Sequence, residues 1–351
     1  MGGAIRRGHS RQTASGLIGA GLTRASQGLK ITLAVKRITS SCRPVHCSHN
    51  AVYAPAGVGH QPLEAHMTRF LNTLIAMMIL ASPVLAQDLQ GTLKKIRDTK
   101  TFTIGFREAS FPFSFLDDRK KPAGYSVDLC THVADSLKQY PGLSDLQVKM
   151  VPVTPENRLA MVANGTVDIE CGSTTSTLAR QEQVDFSYMT FVDGGSILIS
   201  TASNIERFSD LAGKRVAVIP GTTTEKNMAE ELQKANITVQ VVQVKEHSDG
   251  IAAIEKGSAD AYASDRIILI GLAMTSKNPD KLAIADQYFS YEPYGLVLRR
   301  GDTDFRLAVN RVLARLYRSG EIIQIYERWF GPFDRTSNLL QSMYLLFSLP
   351  E

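Results

Sequence analysis

Two α/β lobes, each built on a mostly parallel sheet, are what this sequence predicts. Three observations carry that reading. The chain has 351 residues, more than one compact unit usually holds at ~100–200 residues per domain. From Gln87 onward, segments of strand character alternate with segments of helix character, twice over. One short pattern also recurs at matching places in the two runs, Asn164-Gly165-Thr166-Val167-Asp168 and Lys256-Gly257-Ser258-Ala259-Asp260. Alternating strands and helices imply parallel sheets covered on both faces.

In the first run Thr101 to Gly105 reads as a strand. Val127 to Leu137 reads as a helix, with Leu129, Val133 and Leu137 on one face. Leu146 to Val151 is a strand, Arg158 to Ala163 a helix and Thr166 to Glu170 a strand. The second run repeats this: strand Arg215 to Ile219, helix Thr224 to Ala235, strand Val239 to Val244, helix Ser248 to Glu255, strand Ala259 to Ala263. In both echoes the glycine reads as a helix C-cap and the aspartate introduces a strand. Five residues past each aspartate stand Ser173 and Asp265, at the carboxyl ends of those strands, where open α/β sheets bind ligands. The strand within 288–298 matches Gly195 to Ser200 in character, and the two are expected to pair where the lobes join. Helices follow at Phe305 to Arg318 and Glu321 to Phe330, and 336–351 reads as a C-terminal tail. Lobe 1 is expected to comprise 87–193 plus 295–335 and lobe 2 to comprise 196–290, with two chain crossings that permit hinge closure.

The formal charge of +5 suggests a nucleic-acid partner until its distribution is examined. Residues 1–66 hold eight bases against one acid, Glu64, in a Gly/Ser/Ala/Thr-rich stretch with no sustained apolar period. At Met67 a short positive start, Met67-Thr68-Arg69, leads into an apolar core from Phe70 to Leu80. Ala81-Ser82-Pro83 then breaks any helix, and Val84-Leu85-Ala86 supplies small residues at a cleavage site. Residues 67–86 therefore read as a Sec-type signal peptide. The apolar run is about half the ~20 residues of a membrane span. Residues 1–66 read as an over-extended start or a disordered basic extension. Cleavage leaves 265 residues with 30 bases and 33 acids, slightly acidic overall. A nucleic-acid role falls with the leader. No lipobox cysteine marks the cleavage site, so a soluble, exported protein in an oxidising compartment is expected.

Of the four cysteines, Cys42 and Cys47 lie upstream, and their spacing with His46 and His49 is too weak for a zinc site. Cys130 and Cys171 survive cleavage. One disulfide between them and two buried free thiols stand as alternatives.

These residues resemble the periplasmic solute-binding proteins of ABC importers for polar amino acids, of the type II binding-protein fold. The likeness spans about 90–335. It rests on Phe111-Pro112-Phe113, Gly124-Tyr125-Ser126-Val127-Asp128-Leu129, Asn164-Gly165-Thr166-Val167-Asp168, Gly172-Ser173-Thr174-Thr175, Arg180, Asp210-Leu211-Ala212-Gly213-Lys214, Gly221-Thr222-Thr223 and Tyr326-Glu327-Arg328-Trp329-Phe330-Gly331. Within that family the text is similar to the glutamate/aspartate-binding subgroup at Gly105-Phe106-Arg107-Glu108-Ala109-Ser110, Asn157-Arg158, Glu170-Cys171 and Lys245-Glu246-His247. Pro155 departs from the small hydroxyl residue expected before Glu156-Asn157-Arg158.

The resemblance implies a periplasmic protein with two lobes joined by two hinge strands and a ligand in the cleft between them. A dicarboxylic amino acid brings two carboxylates and an ammonium, each needing a charged or multiply hydrogen-bonded partner once buried. By resemblance, Arg180 with Ser173 and Thr175 holds the α-carboxylate, arginine contributing a planar two-pronged contact. Asp265 takes the α-ammonium. Arg107 and Arg158, with His247, face the distal carboxylate. The backbone amides of Gly221-Thr222-Thr223, at a strand end before a helix, add anion donors. Phe111, Phe113, Phe115 and Trp329 read as core.

The expected function is binding, closure around the ligand and delivery to a membrane permease, by a monomer without cofactor, metal or catalysis. The alternative is a periplasmic cyclohexadienyl-type dehydratase on the same fold. It would need a carboxyl acid or base, Glu170 or Glu108, against an apolar ring pocket. Three arginines and a histidine suit a dianionic ligand better. No Ser-His-Asp elbow, P-loop or His-Glu-x-x-His motif is present.

Overall fold

The computed structural model describes residues 89–333 and 335–351. The signal peptide expected at 67–86, the extension at 1–66 and Cys42 with Cys47 lie outside the described residues. In chain order the elements are α1 (Gly91–Thr99), β1 (Thr101–Phe106), β2 (Ala109–Ser110), β3 (Ser114–Leu116), β4 (Pro122–Ala123), α2 (Tyr125–Leu137), β5 (Gln147–Pro152), α3 (Arg158–Ala163), β6 (Ile169–Glu170), α4 (Leu178–Gln181) and β7 (Val184–Asp193). Then come β8 (Gly195–Ser200), β9 (Arg215–Val218), α5 (Thr223–Lys234), β10 (Gln240–Gln243), α6 (His247–Glu255), β11 (Ala261–Asp265), α7 (Arg266–Thr275) and β12 (Leu282–Ile284). The chain ends with β13 (Glu292–Arg299), α8 (Thr303–Ser319), α9 (Glu321–Phe330) and α10 (Asn338–Phe347).

Two five-stranded sheets organise the molecule, in the orders β5-β1-β6-β13-β7 and β10-β9-β11-β8-β12. They are built alike. In each, three parallel strands (β5, β1, β6 and β10, β9, β11) adjoin one reversed strand, β13 or β8, which pairs antiparallel on its far side with β7 or β12. We call the structure around the first sheet lobe 1 and that around the second lobe 2.

The sequence echo has a physical basis in this symmetry. The Asp168 carboxylate accepts from Thr103 N–H at 2.8 Å, while Asp168 N–H donates to Thr103 C=O at 2.8 Å. Asp260 makes the same reciprocal pair with Arg215, also at 2.8 Å each way. Each aspartate thus locks its strand onto the first parallel strand of its own sheet. Gly165 and Gly257, at φ +78° and +68°, end the preceding helices in the left-handed conformation that favours glycine.

Two expectations are corrected. Gly195–Ser200 and the 288–298 strand do not pair: β8 lies between β11 and β12, and β13 lies between β6 and β7. The two meet only at their ends, where the chain crosses between lobes. There Gly195 N–H donates to Ser290 Oγ at 2.9 Å, and a Cβ on Gly194 would come within 2.6 Å of the Ser290 carbonyl. The second correction concerns 336–351, which forms α10 and packs into lobe 1 rather than trailing as a tail. Ser337 caps it by accepting from Leu340 N–H at 3.1 Å. Leu340, Met343 and Tyr344 fall on one face and are buried, and the Tyr344 hydroxyl meets that of Tyr125 at 2.9 Å.

The core of lobe 1 gathers Phe113, Phe191, Tyr294 and Phe330, with Phe113 centred 5.0–5.3 Å from the other three. Such aromatic pairs add ~0.5–1.5 kcal/mol each beyond area burial. Cys130 on α2 and Cys171 just past β6 are joined by a disulfide, both fully buried. It ties the helix behind the sheet to the loop that carries Ser173 to Thr175.

Candidate functional site

The carboxyl ends of the parallel strands of both sheets face one cavity between the lobes. Arg107, Arg158, Ser173, Thr175, Thr222, Thr223, His247 and Asp265 all line it, together with Thr224, Tyr262 and Ser264. Strand ends and helix starts place Arg107, Arg158, Thr222, Thr223, His247 and Asp265 there, while Ser173 and Thr175 stand on the loop after β6.

Arg107 follows β1 directly and is 1% exposed. Its N–H donates to Ser114 Oγ at 2.9 Å, and its guanidinium crosses the cleft to pair with Glu246 of lobe 2. Arg158 is the first residue of α3, 4% exposed, and its Nε makes no hydrogen bond with any described residue. Burial, then the like charge of Arg180, pulls its pKa down to about 9, with the buried Glu170 carboxylate opposing. It remains a cation at neutral pH. Glu170 accepts from Thr174 Oγ1 at 2.7 Å. The chain turns tightly here, since a Cβ on Gly172 would lie 2.2 Å from a Glu170 oxygen and 3.1 Å from Arg107 Cγ.

Arg180 sits on the one-turn helix α4 beside the cavity. It donates to the Thr175 carbonyl at 2.8 Å and across to the Gly221 carbonyl at 3.4 Å. Thr175 donates its hydroxyl proton to Glu292 at 2.7 Å. The Thr175 hydroxyl proton is thus committed within the protein, while Ser173 lines the cavity beside it.

On the lobe 2 side, Thr222 is the N-cap of α5. Its hydroxyl accepts from Glu225 N–H at 3.1 Å and donates to the Ile219 carbonyl at 2.8 Å. Gly221 N–H is taken by the Glu225 carboxylate at 2.9 Å. Of the amides expected to form an anion site, those at the start of α5 remain without intrahelical partners. His247 opens α6, 6% exposed, with Nδ1 2.7 Å from the Tyr262 hydroxyl. Burial, then the cations Arg107 and Arg158, hold its pKa well below the usual histidine value, so the ring is neutral. Asp265 ends β11. One oxygen accepts from Thr224 Oγ1 at 2.7 Å and the other from the hydroxyl of Tyr294 on β13. Burial, then the negative charge of Glu292, raises its pKa to about 6.

Sequence reasoning missed Glu292 and Tyr294. Glu292 is fully buried at the start of β13. It accepts from Thr175 and Thr223 on one oxygen, at 2.7 and 2.6 Å, and from Asn227 and Ser290 on the other, at 2.9 and 2.6 Å. Thr223 and Asn227 belong to lobe 2, so this carboxylate ties the lobes together. The available signal was a lone acid inside Ser290-Tyr291-Glu292-Pro293-Tyr294, ahead of an apolar strand.

Residues 102–332 match the model for bacterial extracellular solute-binding proteins, family 3. The chain belongs to that family. It is 40% identical, over 74% of its length and 86% of the relative's, to the L-glutamate/L-aspartate-binding protein of Pseudomonas aeruginosa. It is 36% identical to the glutamate/aspartate import solute-binding protein of Salmonella typhimurium, over 68% of this chain and 80% of that one. Its fold superposes with TM-score 0.60 on the ancestral amino acid-binding protein AncCDT-1, a precursor of cyclohexadienyl dehydratase, at 28% identity and covering 68% of this chain and all of that one. The family-3 solute-binding fold expected from sequence is thereby shown.

Proposed function

We propose that this family-3 protein is the periplasmic substrate-binding component of an ABC importer for glutamate and aspartate. It takes the ligand between its lobes, closes, and presents it to a membrane permease, acting as a monomer and performing no chemistry. The observation that carries this reading is the charge arrangement of the cavity. Arg107 and Arg158 stand on the lobe 1 wall with Arg180 beside it, and the Asp265 carboxylate stands on the lobe 2 wall. An α-amino acid with a second carboxylate matches both. Arg180 and the amides at the start of α5 suit the α-carboxylate, Asp265 the ammonium, and Arg107 and Arg158 the distal carboxylate, with neutral His247 as a further polar contact.

Closure follows from contacts made across the cleft. A ligand that touches both walls stabilises the joined lobes by its extra affinity for that arrangement. A cyclohexadienyl-type dehydratase would call for an apolar wall against a ring, whereas Ile219, Ala263 and Ile268 are scattered among hydroxyls and charges.

Calorimetry of residues 87–351 tests the reading against glutamate, aspartate, glutamine and a cyclohexadienyl acid. Heat with either dicarboxylate is expected, near the micromolar affinities (about −8 kcal/mol) ordinary for such sites. In Arg107→Met the dicarboxylate affinity should fall about a hundredfold, the loss of a charged hydrogen bond worth ~3 kcal/mol, with the circular dichroism spectrum unchanged. No binding of either dicarboxylate by the unmodified protein would sink the assignment.

A further inference from the structure

We propose that Glu246 is a specificity-determining residue, whose carboxylate competes with the distal carboxylate of a dicarboxylic ligand for Arg107. It thereby holds dicarboxylate affinity down relative to the neutral amide analogue. This rests on the glutamate/aspartate reading above.

Three guanidinium groups, Arg107, Arg158 and Arg180, meet four carboxylates at this cleft: Glu170, Glu246, Asp265 and Glu292. Three of those carboxylates cannot leave. Glu170 and Glu292 are fully buried, Asp265 is 6% exposed, and each is held by hydroxyl donors. Glu246 differs, because 26% of its side chain is exposed and Arg107 is the partner it has across the cleft. It borders a surface groove lined by Thr154, Pro155, Ile219, Pro220 and Lys245, so the carboxylate can rotate into water. Its role as N-cap of α6 survives that rotation, since its backbone N–H keeps the Asp249 carboxylate at 3.1 Å.

Arg107 is correspondingly short of partners. Among the described residues Glu246 is the one carboxylate that hydrogen-bonds its guanidinium, and Nε has no acceptor. A distal carboxylate arriving at Arg107 meets a like charge already paired there, and two carboxylates on one buried guanidinium repel. The exposed one yields, and breaking its pair subtracts from the ligand's net affinity. A neutral side-chain amide carries no charge with which to displace Glu246 and can bind with the pair intact.

The test is calorimetry with glutamate and with glutamine on the unmodified protein and on Glu246→Gln, which preserves shape and removes the charge. Glutamate is expected to bind about fivefold tighter in the variant, the upper scale of a partly exposed ion pair, with glutamine changed by less than about twofold. Glu246→Ala should show the same direction, which guards against a new contact made by the introduced amide. Weaker glutamate binding would mean that Glu246 supports the ligand-bound state, and an equal shift for both ligands would mean an effect on closure alone. Either outcome overturns the proposal while leaving the glutamate/aspartate reading in place. Failure of the unmodified protein to bind any dicarboxylate would remove both.

Discussion

Glu292 makes closure measurable without touching the ligand. Its carboxylate accepts four hydrogen bonds, and two of the donors, Thr223 and Asn227, belong to α5 of lobe 2. When the lobes part, those two bonds are lost, while Ser290 at the crossing and Thr175 in lobe 1 can stay. A hydrogen bond to a charged group nets ~1.5–3 kcal/mol and a neutral one ~0.5–1.5 kcal/mol. Glu292→Gln therefore weakens the interlobe pair by about 2 kcal/mol, less the relief of no longer burying a charge on closing. The balance is about 1–2 kcal/mol against closure, or about five- to thirtyfold weaker glutamate binding. Calorimetry gives the affinity, and small-angle scattering with saturating ligand shows whether the lobes close. Affinity indistinguishable from the unmodified protein would refute the reasoning, as would a loss of affinity in a protein that still closes fully without ligand.

Two further predictions concern pH and redox. Asp265 has a folded pKa near 6, above the ~3.9 of an unfolded aspartate. Between those values the folded protein holds the extra proton, so this group's contribution to stability falls as pH rises from about 4 to 6. Ligand binding runs the other way, because only the carboxylate pairs with an ammonium. Affinity should drop about tenfold per pH unit well below pH 6, with protons released on binding and seen as buffer-dependent heat. A flat profile from pH 7 to 4.5 would count against Asp265 as the ammonium partner. The disulfide spans 41 residues of sequence, for which the chain-entropy relation gives about 4 kcal/mol. The Cys130→Ala/Cys171→Ala variant should then melt about 10 °C lower by calorimetric scan, and a shift under about 2 °C would show that packing alone holds the site loop.

The parts of this structure that were readable in the sequence are those set by local chemistry. Apolar period, with Leu129, Val133 and Leu137 on one face, identified α2. The two Gly-x-x-Asp joints revealed the paired sheets because each aspartate must bond the backbone of a neighbouring strand. Strand partners were not readable. β8 and β13 share composition, but which strand lies beside which depends on contacts distant in sequence. The helix at 338–347 was overlooked because its apolar face is short and follows an apparent family end point. In the site, residues in recognisable short motifs, such as Arg107, Ser173 and His247, were legible. Glu292 and Tyr294 were not, since their importance arises only when two lobes meet. Glu246 was visible as text beside His247, but its reach to Arg107 needed the fold.

β13 is the final strand in chain order, yet it lies inside its sheet and is the strand to which β7 pairs. The sheet of lobe 2, by contrast, is supplied by one continuous stretch from Gly195 to Ile284. A chain emerging from its N-terminus can therefore complete lobe 2 while the first sheet still waits for a neighbour to β7, a long-range pairing of the kind that slows folding. Glu292 and Tyr294 arrive on that same late strand. The segment that finishes the first sheet also delivers two of the ties that bind the lobes. Assembly of the fold and competence to hold a ligand are thus a single late event, reached only when nearly the whole chain is available.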